Sequence, residues 1–133
     1  MGVKTKEMKR IHLYRGKRLD NGQWVEGSPI GEDAIVGNIV DFEEDYFTTE
    51  FWYRVDPETV GQFTGMTDNN ELKIFEGDIF ETEEGIIWVV SWSEKGEWIA
   101  CDVFYEDTEL LSDVVCDNIR VVGNRFDNKD LLK

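Results

Sequence analysis

Apolar residues in this chain fall into runs of strand length, each closed by turn residues, and seldom recur at helical spacing. That pattern restricts the chain to a mainly β fold, because strand alternation and a helical period make opposite demands on a sequence. Ile11–Arg18 and Gln23–Glu26 flank Asp20-Asn21-Gly22, where Asn-Gly favours the positive φ angles of a tight hairpin turn. The first of these strands starts with Ile11 and Leu13 on one face and His12 and Tyr14 on the other. Ile35–Phe42 and Tyr46–Val55 follow. A regular strand in the latter puts Phe47, Phe51 and Tyr53 on one face and Trp52 on the other. Pro57 lacks a ladder donor, which predicts a bend at Asp56-Pro57-Glu58. Val60–Met66, Leu72–Phe80, Gly85–Trp92 and Glu97–Tyr105 complete the strands, with turns at Asp68-Asn69-Asn70 and Lys95-Gly96. GIIWVVSW, from Gly85 to Trp92, is the most apolar run and reads as a buried strand.

Helical signal is confined to one or two turns in Asp107–Val115, where Leu110, Leu111 and Val114 have helical spacing, and a terminal turn in Asn128–Lys133 capped by Asp127 or Asn128. Seven or eight short strands predict a barrel or paired-sheet domain. With 133 residues, one domain is expected, with a hairpin region of about 1–45 and a barrel region of about 46–133. Folding at this size buries roughly two thirds of the unfolded surface, so neither a disulfide nor a metal is required.

Charge is uneven. The chain has 29 acidic and 14 basic residues, a net −15. Residues 1–20 carry seven basic groups (Lys4, Lys6, Lys9, Arg10, Arg15, Lys17, Arg18) against Glu7 and Asp20, a net +5. The other 113 residues carry 7 basic and 27 acidic groups, a net −20. A basic arm beside an acidic body favours docking of one subunit's arm on another's body. Lysines guarding an edge strand against aggregation give the same composition. No apolar run approaches a membrane span, and the N-terminus lacks the apolar segment of a signal peptide, so a cytoplasmic protein is expected.

Constellations that carry chemistry are few. Asp41, Glu43, Glu44, Asp45 and Glu50 supply oxygens, but no glycine turn aims them at a cation needing about six to eight ligands. Asp68-Asn69-Asn70-Glu71 begins like a calcium loop and then fails, with Leu72, Lys73 and Ile79 at positions that need an oxygen ligand, glycine and glutamate. His12 is the only histidine, and neither Cys101 nor Cys116 has a sequence-local partner to lower its pKa. The two cysteines are too far apart for a CxxC site. The glycines form no phosphate loop. Neither a metal nor another cofactor is expected. Trp24, Trp52, Trp88, Trp92 and Trp98 all lie in strand patterns, Trp88 and Trp92 on one face. Stacking of nucleobases needs a positive groove that a body at −20 lacks, so these rings point to core and interface packing, and direct nucleic-acid binding is not expected.

The segment VDPETVGQFTGMTDNNELKIFEGDIF (55–80) is distinctive for its order: Val-Gly-Gln-aromatic-Thr-Gly, a polar turn, then aromatic-Glu-Gly-Asp-Ile. It resembles the YopX family of small phage and prophage proteins. Arg15–Arg18 through Asp20–Gly27 looks like that family's opening hairpin, and Ile119–Leu132 like its closing strand and short helix. Asn69-Asn70-Glu71 departs from the pattern, where a glycine is expected in the turn. The resemblance implies a small SH3-like β-barrel with an N-terminal hairpin and one or two short helices. It also implies a phage-related origin, and it carries no catalytic or ligand site.

Gln62, Thr64, Gly65, Glu76, Gly77 and Asp78 hold the family pattern. Gly65 and Gly77 suit a bulge or a close backbone approach, and Thr64 and Asp78 suit hydrogen bonds to turn backbone. Glu76 and Asp78 share a face if their strand is regular, as a paired-carboxylate site would require. The expected function is a non-enzymatic, self-assembling or protein-interaction module, with Lys9, Arg10, Arg15, Trp24 and Trp52 at the interface. A second copy, or a host or phage protein, is the expected partner. The alternatives are an acidic, nucleic-acid-mimicking regulator of a host enzyme and, with less support, a metal-assisted hydrolase using Asp41–Asp45 or Glu76 and Asp78.

Overall fold

A computed structural model describes residues 13–37, 39–42, 47–115 and 118–132. The mainly β expectation holds, with 52% strand and 11% helix among the described residues. The chain divides into two compact units, residues 1–60 and 61–133.

In the first unit, β1 (Tyr14–Lys17), β2 (Trp24–Ile30), β3 (Ala34–Val36) and β6 (Trp52–Arg54) pair antiparallel in the order β6-β3-β2-β1. Beside these, β4 (Ile39–Phe42) pairs with β5 (Phe47–Thr49). The β1–β2 turn is wider than the tight Asn-Gly turn expected. Arg18 N–H donates to Gln23 O at 2.8 Å, Gly22 N–H donates to Arg18 O at 3.0 Å, and within the turn only Gly22 has a positive φ, 73°. Asn21 Oδ1 accepts from the Gln23 N–H at 2.9 Å, so its side chain closes a local turn while its own backbone stays out of the left-handed region.

Two expected strands are each broken in half. Ile35–Phe42 stops at Gly37, where a β-carbon would lie 2.8 Å from the Phe51 ring, and Tyr46–Val55 stops at Glu50-Phe51. Phe51 and Tyr53 still stack, with centroids 5.6 Å apart, and Trp52 is 56% exposed. The Phe47 side chain is outside what is described. Ala34, Ile35, Val36 and Val55 form the buried apolar centre. Gly27 lets β2 pass β3 closely, since a β-carbon there would meet Val36 O at 2.2 Å. The bend at Asp56-Pro57-Glu58 is one 3-10 turn, Pro57–Thr59, capped by Asp56, whose carboxylate accepts from the Glu58 N–H at 3.1 Å. Buried Thr59 donates to Asp56 O at 2.6 Å and accepts from Lys17 N–H at 2.9 Å.

In the second unit, β7 (Gly61–Thr67) and β8 (Lys73–Phe75) form a hairpin. A five-stranded antiparallel sheet comprises β9 (Asp78–Thr82), β10 (Ile87–Trp92), β11 (Trp98–Asp102), β12 (Thr108–Leu110) and β13 (Ile119–Asn124), in the order β12-β11-β10-β9-β13. Helix α1 (Leu111–Val115) is shorter than the expected Asp107–Val115. The backbone of Thr108–Leu110 pairs with Ile99–Cys101 instead, leaving Leu110 exposed while Leu111 and Val114 are buried. The core combines Ile74, Phe80, Trp88, Val90, Ala100, Leu111, Val114 and Ile119. Trp88 pairs with Asp102 and Trp92 with Trp98, so the two tryptophans share a face as alternation requires. That face runs out of the core: Trp88 is 8% exposed and Trp92 50%.

Buried polar side chains hold the loops of this unit. Asp68 Oδ1 accepts from the N–H groups of Asn70 and Leu72 at 2.8 and 2.9 Å, and its Oδ2 from the Val121 N–H at 2.9 Å. Asp102 Oδ1 accepts from Phe104 and Tyr105 N–H at 2.8 and 3.1 Å, and Asn124 Oδ1 from Phe126 and Asp127 N–H, both at 3.0 Å. Backbone donors make the burial of these groups tolerable. Glu71, in the turn where a glycine was expected, has a left-handed φ of 65°. Its N–H donates to Asp68 O at 3.0 Å, so the carboxylate-held loop imposes the conformation that glycine adopts most readily. A 3-10 turn, Lys129–Leu132, closes the chain after Asn128, whose carbonyl accepts from the Leu131 N–H at 3.0 Å.

Candidate interaction surfaces

The six family-pattern residues meet at one corner of the second unit. Pairing of β7 with β8 shifts register between Phe63 and Thr67, where Gly65 has a φ of 88°. Thr64 Oγ1 donates to Ile74 O at 2.8 Å and accepts from Met66 N–H at 3.2 Å, bridging the ladder across the irregularity. Gln62 O accepts from the Glu76 N–H at 3.0 Å. Leu72–Phe80 is two strands, because Glu76-Gly77 is a tight turn with Gly77 at φ 90°. The regular strand that would align Glu76 with Asp78 therefore does not exist. Asp78 is buried at the start of β9, its Oδ2 accepting from the Phe75 N–H at 2.7 Å, while Glu76 is half-buried in the turn. Thr64 and Asp78 thus serve this corner by binding its backbone.

Side chains suited to recognition lie elsewhere. In the first unit, Arg15 and Lys17 share a face of β1, and Trp24 sits opposite Lys17 on β2. The Arg15 guanidinium carbon lies 4.6 Å from the Trp24 ring centroid and Lys17 Nζ 5.9 Å from it. Arg15 and Trp24 are thus brought together as a cation–π pair. Trp52 lies in a separate groove of about 420 Å³ with Leu19, Asp20, Tyr53 and Arg54. Leu19 is 63% exposed. The Arg18 guanidinium stacks on Tyr53 at 3.6 Å and grips Asp20 through two bonds, Nε to Oδ1 at 2.9 Å and Nη2 to Oδ2 at 2.6 Å. That bond and the neighbouring positive charge hold the Asp20 carboxyl below its usual range, and Asp20 raises Arg18 in turn. Arg54 pairs with Asp33. Lys9 and Arg10, the other expected interface residues, lie outside the described residues.

Trp52 was legible from alternation. Leu19, Arg18, Tyr53 and Arg54 were missed as a group, because the antiparallel bridge of Arg18 with Val55 joins segments far apart in sequence. The available signal was the concentration of arginine and aromatic residues on both sides of that bridge.

In the second unit, a groove of about 550 Å³ is lined by Trp92, Ile99, Thr108 and Leu110 and by the β10–β11 turn, including Glu94, Lys95 and Glu97. Trp92 and Trp98 pack edge-on with centroids 4.7 Å apart. A smaller cleft, about 280 Å³, is lined mainly by polar residues, several of which bind one another. There Asn69 donates to Asn118, Asn118 to Glu83, and Arg120 to Glu81.

Cys101 is half-buried with its Sγ 3.8 Å from Thr108 Oγ1. His12 and Cys116, the other residues weighed and set aside for nucleophilic chemistry, lie outside the described residues, as do Glu43, Glu44 and Asp45. Among the described residues, no three His, Cys, Asp or Glu side chains stand together as metal ligands. No helix among them is long and apolar enough to cross a membrane.

The fold is similar to the crystal structure of protein EF1440 from Enterococcus faecalis, with a TM-score of 0.65 and 18% identity over 94% of this chain and 100% of that one. No curated protein sequence matches this chain. The family model described as YopX protein matches residues 13–133, spanning the opening hairpin, the 55–80 segment and the closing strand. The chain therefore belongs to the YopX family.

Proposed function

We propose that this chain is a non-enzymatic, phage- or prophage-derived interaction module that works in the cytoplasm and self-associates. The observation that carries this reading is the Leu19–Trp52 groove of the first unit. Two large apolar side chains, 63% and 56% exposed, are framed there by Arg18 stacked on Tyr53 and by Arg54 paired with Asp33. Tryptophan, tyrosine and arginine are the residues that most often dominate binding energy at protein interfaces, above all when held in place before the partner arrives. The Arg15–Trp24 pair adds a second ordered aromatic to the same unit. Backbone-binding roles for Thr64 and Asp78 support a structural, not a chemical, purpose for the family motif. The SH3-like barrel that the resemblance implies is part of this reading.

Light scattering after gel filtration tests it. A discrete multimer is expected, and Leu19→Ser with Trp52→Ala should weaken association by about tenfold or more. A monomer at every concentration and salt would overturn self-association. The net charge of −15 favours a second reading, an acidic regulator that imitates a phosphate backbone. Recovery of a specific nucleic-acid-binding protein whose activity the chain inhibits would support that alternative.

A further inference from the structure

The groove in the second unit joins an apolar floor to an acidic border. Trp92 and Leu110 are 50% and 40% exposed, and Ile99 also lines the groove. Glu94, Glu97 and Glu109 border it against Lys95, a net −2. Strand β12 is the end strand of its sheet, so its outer edge presents backbone groups that no strand among the described residues takes up. A site of this composition repels phosphate and suits an extended basic segment with a few apolar side chains.

Residues 1–10 have that chemistry: Lys4, Lys6, Lys9 and Arg10 stand against Glu7, a net +3, with Val3 and Met8 among them. We propose that the N-terminal arm of a second copy occupies the Trp92–Leu110 groove, its cations against Glu94, Glu97 and Glu109 and its apolar side chains on Trp92 and Leu110. The proposal rests on the self-association reading, which supplies the second copy. It assigns the occupant of a different surface from the Leu19–Trp52 groove. Charge opposition selects this segment over a nucleic acid or an acidic peptide, and the outer edge of β12, which no strand among the described residues pairs, suits an extended occupant.

A charge swap in the full chain tests it. One variant carries Glu94→Lys, Glu97→Lys and Glu109→Lys, all at exposed positions. The other carries Lys4→Glu, Lys6→Glu, Lys9→Glu and Arg10→Glu. Circular dichroism verifies the fold of each, and light scattering reads mass at about 50 mM and about 500 mM salt, on either side of the screening range that matters for exposed charges. Each variant alone should self-associate about tenfold or more weakly, high salt should weaken the unmodified chain in the same direction, and an equimolar mixture of the two should recover the multimer. If the groove variant fails to fold, Glu97→Lys alone should weaken association about two- to threefold. A multimer that persists in both variants, or a mixture that does not recover it, overturns the groove assignment and leaves self-association standing. An unmodified chain that is monomeric at both salts overturns both.

Discussion

The two units of this protein differ in where their carboxylates sit: among the described residues, the buried ones all belong to the second unit. In the first, Asp20 and Asp33 sit at the surface, paired with Arg18 and Arg54, and shape the border of an exposed groove. The apolar centre there is small, and close strand passage at Gly27 completes it. In the second, Asp68, Asp78 and Asp102 are buried and accept backbone N–H groups, in a unit with a core of eight residues that includes Phe80 and Trp88. Net charge read from the sequence treats these carboxylates alike. The structure separates a set that decorates the surface from a set that replaces missing backbone partners in loops.

The largest way to break this contrast is through the second core. Phe80→Ala should destabilise the chain by about 3–5 kcal/mol in urea denaturation, because Phe80 is fully buried and its removal leaves a cavity. Asp68→Ala should cost about 2–4 kcal/mol by the same measurement, since three N–H groups lose their acceptor at once. An equal effect from Asp33→Ala would erase the distinction between buried and surface carboxylates, as exposed pairs contribute only about 0–1 kcal/mol. For the first unit, Gly27→Ala should cost about 1–3 kcal/mol, because the added carbon meets backbone oxygen and not a side chain that can move.

A smaller change sharpens the comparison from the other side. Glu71→Gly should stabilise the chain by about 1 kcal/mol, removing left-handed strain that the Asp68 loop imposes. The smallest effect concerns Asp20. Its folded pKa is depressed by Arg18, so its contribution to stability is present above the unfolded pKa and is lost as pH falls through the folded value. Nuclear magnetic resonance titration should place Asp20 below an ordinary aspartate, and Arg18→Gln should return it towards the ordinary value.

The sequence made the β content, most turns and the sharing of a face by Trp88 and Trp92 legible, because alternation and turn chemistry are local. Three of its long strands were drawn too continuous. Apolar content continues across Gly37, across Glu50-Phe51 and across Glu76-Gly77, while the backbone breaks at each. The third break mattered for function, since it separates Glu76 from Asp78 and removes the apparent carboxylate pair. The surface groups were legible only in part. Alternation singled out Trp52, but the grouping of Leu19, Arg18 and Arg54 depends on pairing between segments more than thirty residues apart (bridge Arg18 to Val55). The groove beside Trp92 depends likewise on Thr108–Leu110 forming a strand, where side-chain spacing favoured a helix.

The wide β1–β2 turn also bears on how this protein ages. Asn-Gly is the dipeptide most open to deamidation, in which the glycine nitrogen attacks the asparagine side-chain carbon, closes a succinimide and expels ammonia. Here the Gly22 N–H is held by Arg18 O at 3.0 Å, and the Asn21 side-chain oxygen is held by the Gln23 N–H at 2.9 Å. Attack needs the Gly22 nitrogen released from Arg18 O and the Asn21 side chain released from the Gln23 N–H, so the turn's chemical lifetime is set by how often these hydrogen bonds open. Isoaspartate accumulating at Asn21 would therefore serve as a clock for local unfolding of the first hairpin.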